Sequence, residues 1–213
     1  MKLTKHEHAC VVFEKDGESI VIDPGSFSSE AGDIIGGAAA VLITHEHFDH
    51  VNEDAINQAL AQRPDLRVYA PSSLAGTFAA HAGQFTAVAA GDTLTAGGFS
   101  VSVHGSTHAV IHPDIPVIPN VGYFVDEAVY HPGDAFYVPD VKVSTLLLPT
   151  SGPWMKIGEA ADYVRAVKPD QTLQIHEMLL SDIGLGLAAN LLGEDGLTGT
   201  PLTQIPAGQS LTV

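Results

Sequence analysis

One cysteine, Cys10, is all the sulfhydryl chemistry in 213 residues, which excludes an internal disulfide and any multi-cysteine zinc site. It stands in the apolar run Ala9-Cys10-Val11-Val12-Phe13, so it is expected as a small buried hydrophobe rather than a reactive thiol. Positive charge is equally scarce: 9 Lys+Arg face 25 Asp+Glu, a formal net charge of −16. Such a surface repels phosphate backbones and anionic lipid, so neither nucleic acid nor membrane is an expected partner. No apolar run is long enough to span a bilayer. The charged start Met1-Lys2-Leu3-Thr4-Lys5 leads into no uninterrupted apolar segment or small-residue cleavage site of the signal-peptide kind. The expected location is cytoplasmic. Linkers and short-period repeats are also absent, so residues 1–213 are expected to form a single domain with one sizeable core.

What is present is a series of strands that stop at polar residues. Ala9–Glu14 and Ser19–Ile22 read as a hairpin closed at Asp16-Gly17, halted by Asp23-Pro24-Gly25. The small-residue segment from 26 to 37 reads as loop with at most one helical turn. Ala40–Thr44 is a buried strand, Asn52 an N-cap for a helix ending at Pro64, and Leu66–Ala70 a second strand parallel to the first. A further helix is predicted from Pro71-Ser72-Ser73 to about His81. Short strands with turns at Gly91-Asp92 and Gly97-Gly98 fill the middle, followed by strands at Val121–Val125, Ala128–Tyr130 and Val143–Leu148. Helices over Ile157–Val167 and Asp182–Leu192 flank a strand at Gln171–Ile175, and Ser210–Val213 is a candidate closing strand.

Chemistry concentrates in Thr44-His45-Glu46-His47-Phe48-Asp49-His50. A lone loop histidine is usually solvated, but three histidines and an aspartate in six positions form a metal-type donor set. A straight strand points alternate side chains opposite ways. A strand ending in a loop instead puts His45 and His47 on one side and turns Asp49 and His50 towards a second position. Other candidates follow later: His104 or His108, His112 in Ile111-His112-Pro113-Asp114, His131-Pro132-Gly133-Asp134, and His176 after the strand at Gln171–Ile175. Asp23 could shape its turn or support a metal site, and Trp154-Met155 could wall a pocket or pack on the following helix.

In order and local context, His45-x-His47-x-Asp49-His50, His108, Gly133-Asp134 and His176 resemble the ligand series of the metallo-β-lactamase fold superfamily. The shorter bacterial branch of metal-dependent hydrolases, with the L-ascorbate-6-phosphate lactonase, is the most similar, and His8-Ala9-Cys10 resembles an element that this branch carries early. The resemblance implies an α/β four-layer αββα sandwich, two mixed sheets flanked by helices. It implies His45, His47 and His108 on one metal, Asp49, His50 and His176 on a second, and Asp134 bridging. His108 is preferred to His104 on family spacing. Asp49 would also act in catalysis, with His8 and His112 as further catalytic candidates.

The activity so implied is that of a metal-dependent hydrolase, in which a hydroxide bridging two divalent ions attacks an ester, lactone, amide or phosphodiester of a small-molecule substrate. Zn²⁺ is the first candidate, with Mn²⁺, Fe²⁺ and Ni²⁺ behind it. Two alternatives use the same residues: a mononuclear-iron oxygenase of the same fold, and a metal-binding module without turnover. A homo-oligomer is compatible with all three.

Overall fold

The computed structural model describes residues 1–213. In chain order, strands β1 (Lys2–Lys5), β2 (Val11–Lys15) and β3 (Glu18–Ile22) precede helix α1 (Ala31–Gly37), strand β4 (Ala40–Leu42), helix α2 (Glu53–Gln62), and strands β5 (Arg67–Ala70) and β6 (Phe85–Ala87). Next come β7 (Thr93–Ala96), β8 (Phe99–His104), β9 (Gly122–Val125), β10 (Val129–His131) and β11 (Thr145–Pro149). Helix α3 (Ile157–Val167), β12 (Gln171–Ile175), helix α4 (Asp182–Leu192), β13 (Leu202–Thr203) and β14 (Gln209–Thr212) complete the chain. Two seven-stranded mixed sheets result, in the orders β14-β1-β2-β3-β4-β5-β6 and β13-β12-β11-β10-β9-β8-β7.

The apolar runs of β4 and β11 follow from being covered on both faces. Ala40 and Leu42 point into the core between the sheets with Phe13, Ile22, Tyr123 and Leu147, while Val41 and Ile43 face outward to Ile35 of α1 and Ile56 and Leu60 of α2. On the second sheet the alternation repeats: Leu147 lies between the sheets, and Leu146 and Leu148 pack under Ala160, Ala161 and Val164 of α3. Helix, sheet, sheet, helix is therefore the layering, the four-layer sandwich expected from the sequence.

Several local expectations are corrected. The helix predicted from Ser72 to His81 is two separate 3₁₀ turns, Ser72–Ala75 and Ala79–His81, because only Leu74 and Phe78 of this stretch are buried strongly and Gly76-Thr77 is a poor helical link. The segment expected as loop contains the seven-residue α1, where burial of Ala31 and Ile35 outweighs three glycines. β1 and β13 were unforeseen; each holds its place by pairing, β1 with β2 and β14 and β13 with β12.

The carboxyl ends of β3, β4, β10 and β12 lie along one edge, joined there by the segment preceding β2 and the loop following β8. A buried tyrosine fixes the two sheets at this edge. The Tyr123 hydroxyl donates to the carbonyl of Ile43 at 2.9 Å and to that of Tyr69 at 3.2 Å, and the Val121 amide donates to the Thr44 carbonyl at 2.9 Å. Tyr123→Phe removes a buried donor while leaving its carbonyl partners, and should cost about 1–3 kcal/mol, read as a lowered urea midpoint with unchanged slope.

Candidate metal centre

The edge is built outward from Asp23, which leaves β3 with a left-handed φ of 52°, a conformation aspartate tolerates better than most residues. Its fully buried carboxylate accepts from the Thr44 amide at 2.8 Å, the Thr44 hydroxyl at 2.7 Å and Nδ1 of His50 at 2.6 Å. Having donated to Asp23, the Thr44 hydroxyl accepts from Nδ1 of His45 at 3.0 Å. Nδ1 of His108 donates to the Ala109 carbonyl at 2.5 Å. Each of these rings is thus fixed through Nδ1, and Nε2 is turned inward, the arrangement that outer hydrogen bonds impose on ligand histidines.

Two close passages of the backbone make this possible. A Cβ on Gly25 would lie 1.9 Å from the Asp49 carbonyl oxygen, so the Pro24-Gly25 turn sits directly on the His47–His50 loop. Gly133 has φ 63°, and a Cβ there would meet the Asn120 side chain at 2.3 Å. Asn120 in turn accepts from the Asp134 amide and donates to the Pro132 carbonyl, both at 2.9 Å, which holds the loop that carries Asp134.

Two groups of side chains emerge. His45, His47, His108 and Asp134 bring one donor atom each within 4.8 Å of one another, and so do His8, Asp49, His50 and His176. Asp134 lies between the groups: Oδ1 is 3.1 Å from Nε2 of His50, while Oδ2 is 3.1 Å from His176, 3.5 Å from His108 and 4.0 Å from His45. The Trp154 indole donates to the same Oδ2 at 2.7 Å. Nε2 of His50, His108 and His176 and Oδ1 of Asp134 are buried without a hydrogen bond. Buried polar atoms are rarely left so, and inward-facing imidazole nitrogens around two carboxylates are a donor set that fits divalent cations.

The electrostatics agree. Burial pushes His45 well below its ordinary value and His8 down to about 4. For His50 and His176, burial also opposes charge, but the carboxylate of Asp134, joined by Asp23 or Asp49, outweighs it. His50 is held well above the ordinary value and His176 at about 9. Asp134 and Asp49 stay ionised despite burial because the imidazoles face them.

All seven residues expected as metal ligands therefore come together, and His108, not His104, is the one present. His104 ends β8, bonded to the Ser102 hydroxyl at 2.9 Å. His8 reaches Asp49 Oδ2 at 3.0 Å and touches the group. His112 is in neither group and lies on an exposed loop beside Asp114. His131 supports the Gly133-Asp134 loop, donating to the Ala9 carbonyl at 2.9 Å and accepting from the Gly133 amide at 3.1 Å. Trp154 lines the cavity in front of the groups, whereas Met155 packs against the core under α3. Sequence reasoning missed Thr44 as an anchor and Asn120 altogether. The hydroxyl beside the first histidine was a readable signal for Thr44; Asn120 had none.

Because a cation must displace the protons on Nε2 of His50 and His176, metal uptake by the stripped protein should release protons at pH 7, and affinity should rise as pH climbs from 7 through about 9. Calorimetric titration with Zn²⁺ in buffers of different ionisation enthalpy measures both. Gly133→Ala should reduce metal content without unfolding the chain, checked by elemental analysis and circular dichroism.

A sequence profile described as "Beta-lactamase superfamily domain" matches residues 2–176. Protein Rv0786c of Mycobacterium tuberculosis is 37% identical over 218 residues, covering 100% of both chains. A UPF0173 metal-dependent hydrolase of Lysinibacillus sphaericus is 28% identical, over 83% of this chain and 85% of its own. Among solved structures, Igni18, a metallo hydrolase from Ignicoccus hospitalis, superposes with a TM-score of 0.74 at 20% identity, covering 100% of this chain and 97% of its own. With its two sheets, its flanking helices and its histidine–aspartate edge, the chain belongs to the beta-lactamase superfamily.

Proposed function

We propose that this chain is a metal-dependent hydrolase with a dinuclear centre. The observation that carries the reading is Asp134, whose carboxylate reaches both histidine groups: Oδ1 lies 3.1 Å from His50 and Oδ2 3.1 Å from His176 of one group, and Oδ2 is 3.5 Å from His108 of the other. His45, His47 and His108 would hold one ion, Asp49, His50 and His176 the other, with Asp134 shared. The likeness to the metal-dependent hydrolase of Lysinibacillus supports the hydrolytic class. A mononuclear-iron oxygenase would employ only one of the two groups.

Two divalent ions bound there would supply Lewis acidity towards a scissile ester, lactone, amide or phosphodiester, and a hydroxide nucleophile near neutral pH. The protein's own contribution is positional. Asp49, partly open to the cavity, is aimed by the 3.0 Å contact from His8, and His8 is fixed to the opposite strand because its carbonyl accepts from the His176 amide at 3.0 Å. His8 thereby serves as a positioning residue rather than a ligand, its Nε2 being committed to Asp49. Asp23 and Thr44 hold His45 and His50, and Trp154 fixes one oxygen of Asp134.

Protein purified with its metal should contain two divalent ions per chain by elemental analysis, and Asp49→Ala or Asp134→Ala should lose metal and abolish hydrolysis across a panel of esters, lactones, amides and phosphodiesters. Full activity in metal-free protein, or one iron per chain with oxygen consumption, would overturn the reading. His8→Ala should reduce kcat about 10–100-fold while His8→Gln, which can still donate to Asp49, recovers part of it.

A further inference from the structure

The cavity that opens in front of the two histidine groups has a volume of about 290 Å³, small-molecule scale. Its polar lining consists only of metal-type side chains, His47, Asp49, His108, Asp134 and His176; every other wall residue, Phe27, Phe48, Ile111, Pro153, Trp154 and Leu179, is apolar. Phe27 and Phe48 meet edge to face at 5.4 Å, forming one continuous wall, and Trp154 and Leu179 stand among the residues that complete the lining. Phe48 is 63% exposed and Leu179 59%, so the apolar lining reaches outward to solvent at the mouth.

What the cavity lacks is lysine and arginine. None of the nine Lys and Arg residues lines it. Lys5 is buried against Glu177, in a different cavity; Lys15 is paired with Asp126 and Lys142 with Asp170. Lys156 follows Trp154 closely in sequence but is turned out to solvent beside Glu159. A carboxylate or phosphate borne away from the scissile bond would find no partner among these walls, would lose its hydration against apolar side chains, and would approach a chain of net charge −16.

We infer that the substrate bears no charge away from its scissile bond and carries a hydrophobic acyl or alkyl group beside it, which lies along the wall of Phe27, Phe48 and Leu179. This rests on the hydrolase reading and narrows it to substrates whose groups beside the scissile bond are uncharged and apolar, setting aside compounds with a phosphate or carboxylate borne away from that bond.

The test uses zinc-loaded protein and hydroxamates, whose head groups chelate metal and whose tails sample the wall. Binding of acetohydroxamate, butyrohydroxamate, hexanohydroxamate and succinic acid monohydroxamate is measured by calorimetry. Affinity should rise about three- to fourfold per methylene added, and the carboxylate-ended compound should bind at least about tenfold more weakly than butyrohydroxamate. Leu179→Arg, on the exposed rim, should narrow that gap, and p-nitrophenyl butyrate should be cleaved with a higher kcat/KM than p-nitrophenyl acetate. Affinity independent of tail length, or equal or tighter binding of the carboxylate-ended compound, overturns the inference while leaving the metal centre intact. If no hydroxamate binds, acetohydroxamate included, although two ions are present, the catalytic reading of the centre falls and this inference with it.

Discussion

The buried carboxylate of Asp23 is the constraint on which the functional edge depends. A charge with no exposure to water is tolerable only if its lone pairs are filled, and Asp23 fills them with the amide and hydroxyl of Thr44 and the ring of His50. Those three bonds determine where the chain goes after β4, which tautomer His50 takes and, through the Thr44 hydroxyl, which nitrogen of His45 faces inward. The left-handed φ of Asp23 and the absence of a Cβ at Gly25 are conditions for that carboxylate to reach its partners.

The second organising feature is an imbalance of charge. Asp49 and Asp134 converge on a pocket of imidazoles with no Lys or Arg among them. In the protein alone the balance falls on protons held by His50 and His176. The same imbalance that suits cations at the floor disfavours anions at the walls, so metal affinity and substrate charge are two consequences of one distribution of side chains. The chain's overall acidity acts in the same direction over longer distances.

Much of this was legible in the sequence wherever the cause is local. α3, β12 and α4 have the bounds the pattern gives, because Pro169 separates the first two and Ser181, accepting from the Gly184 amide at 3.3 Å, starts the last. The cluster from His45 to His50 was legible for the same reason, since its donors are close in sequence. The helical segment after Pro71 was misjudged because periodicity alone does not reveal how little of it is buried. β1 was hidden because its four residues include a single leucine, and its strand form comes from partners at both ends of the chain. The choice between His104 and His108 needed the loop after β8 to be placed against Asp134, and Asn120 acts entirely across space.

The residues facing Asp134 come from β4's end, the loop after β8 and β12's end, so a cation shared by His50 and His176 would tie together points separated by more than half the chain. Such a tie exists only in the folded chain, where the ligands converge, and it stabilises that state only while the ion is bound. Stability then becomes a function of free metal concentration, rising by about 2.7 kcal/mol when that concentration is about one hundred times the dissociation constant. In a cell the abundance of the folded protein would follow the metal supply, so that the centre would set how much of the protein persists as well as what it can do.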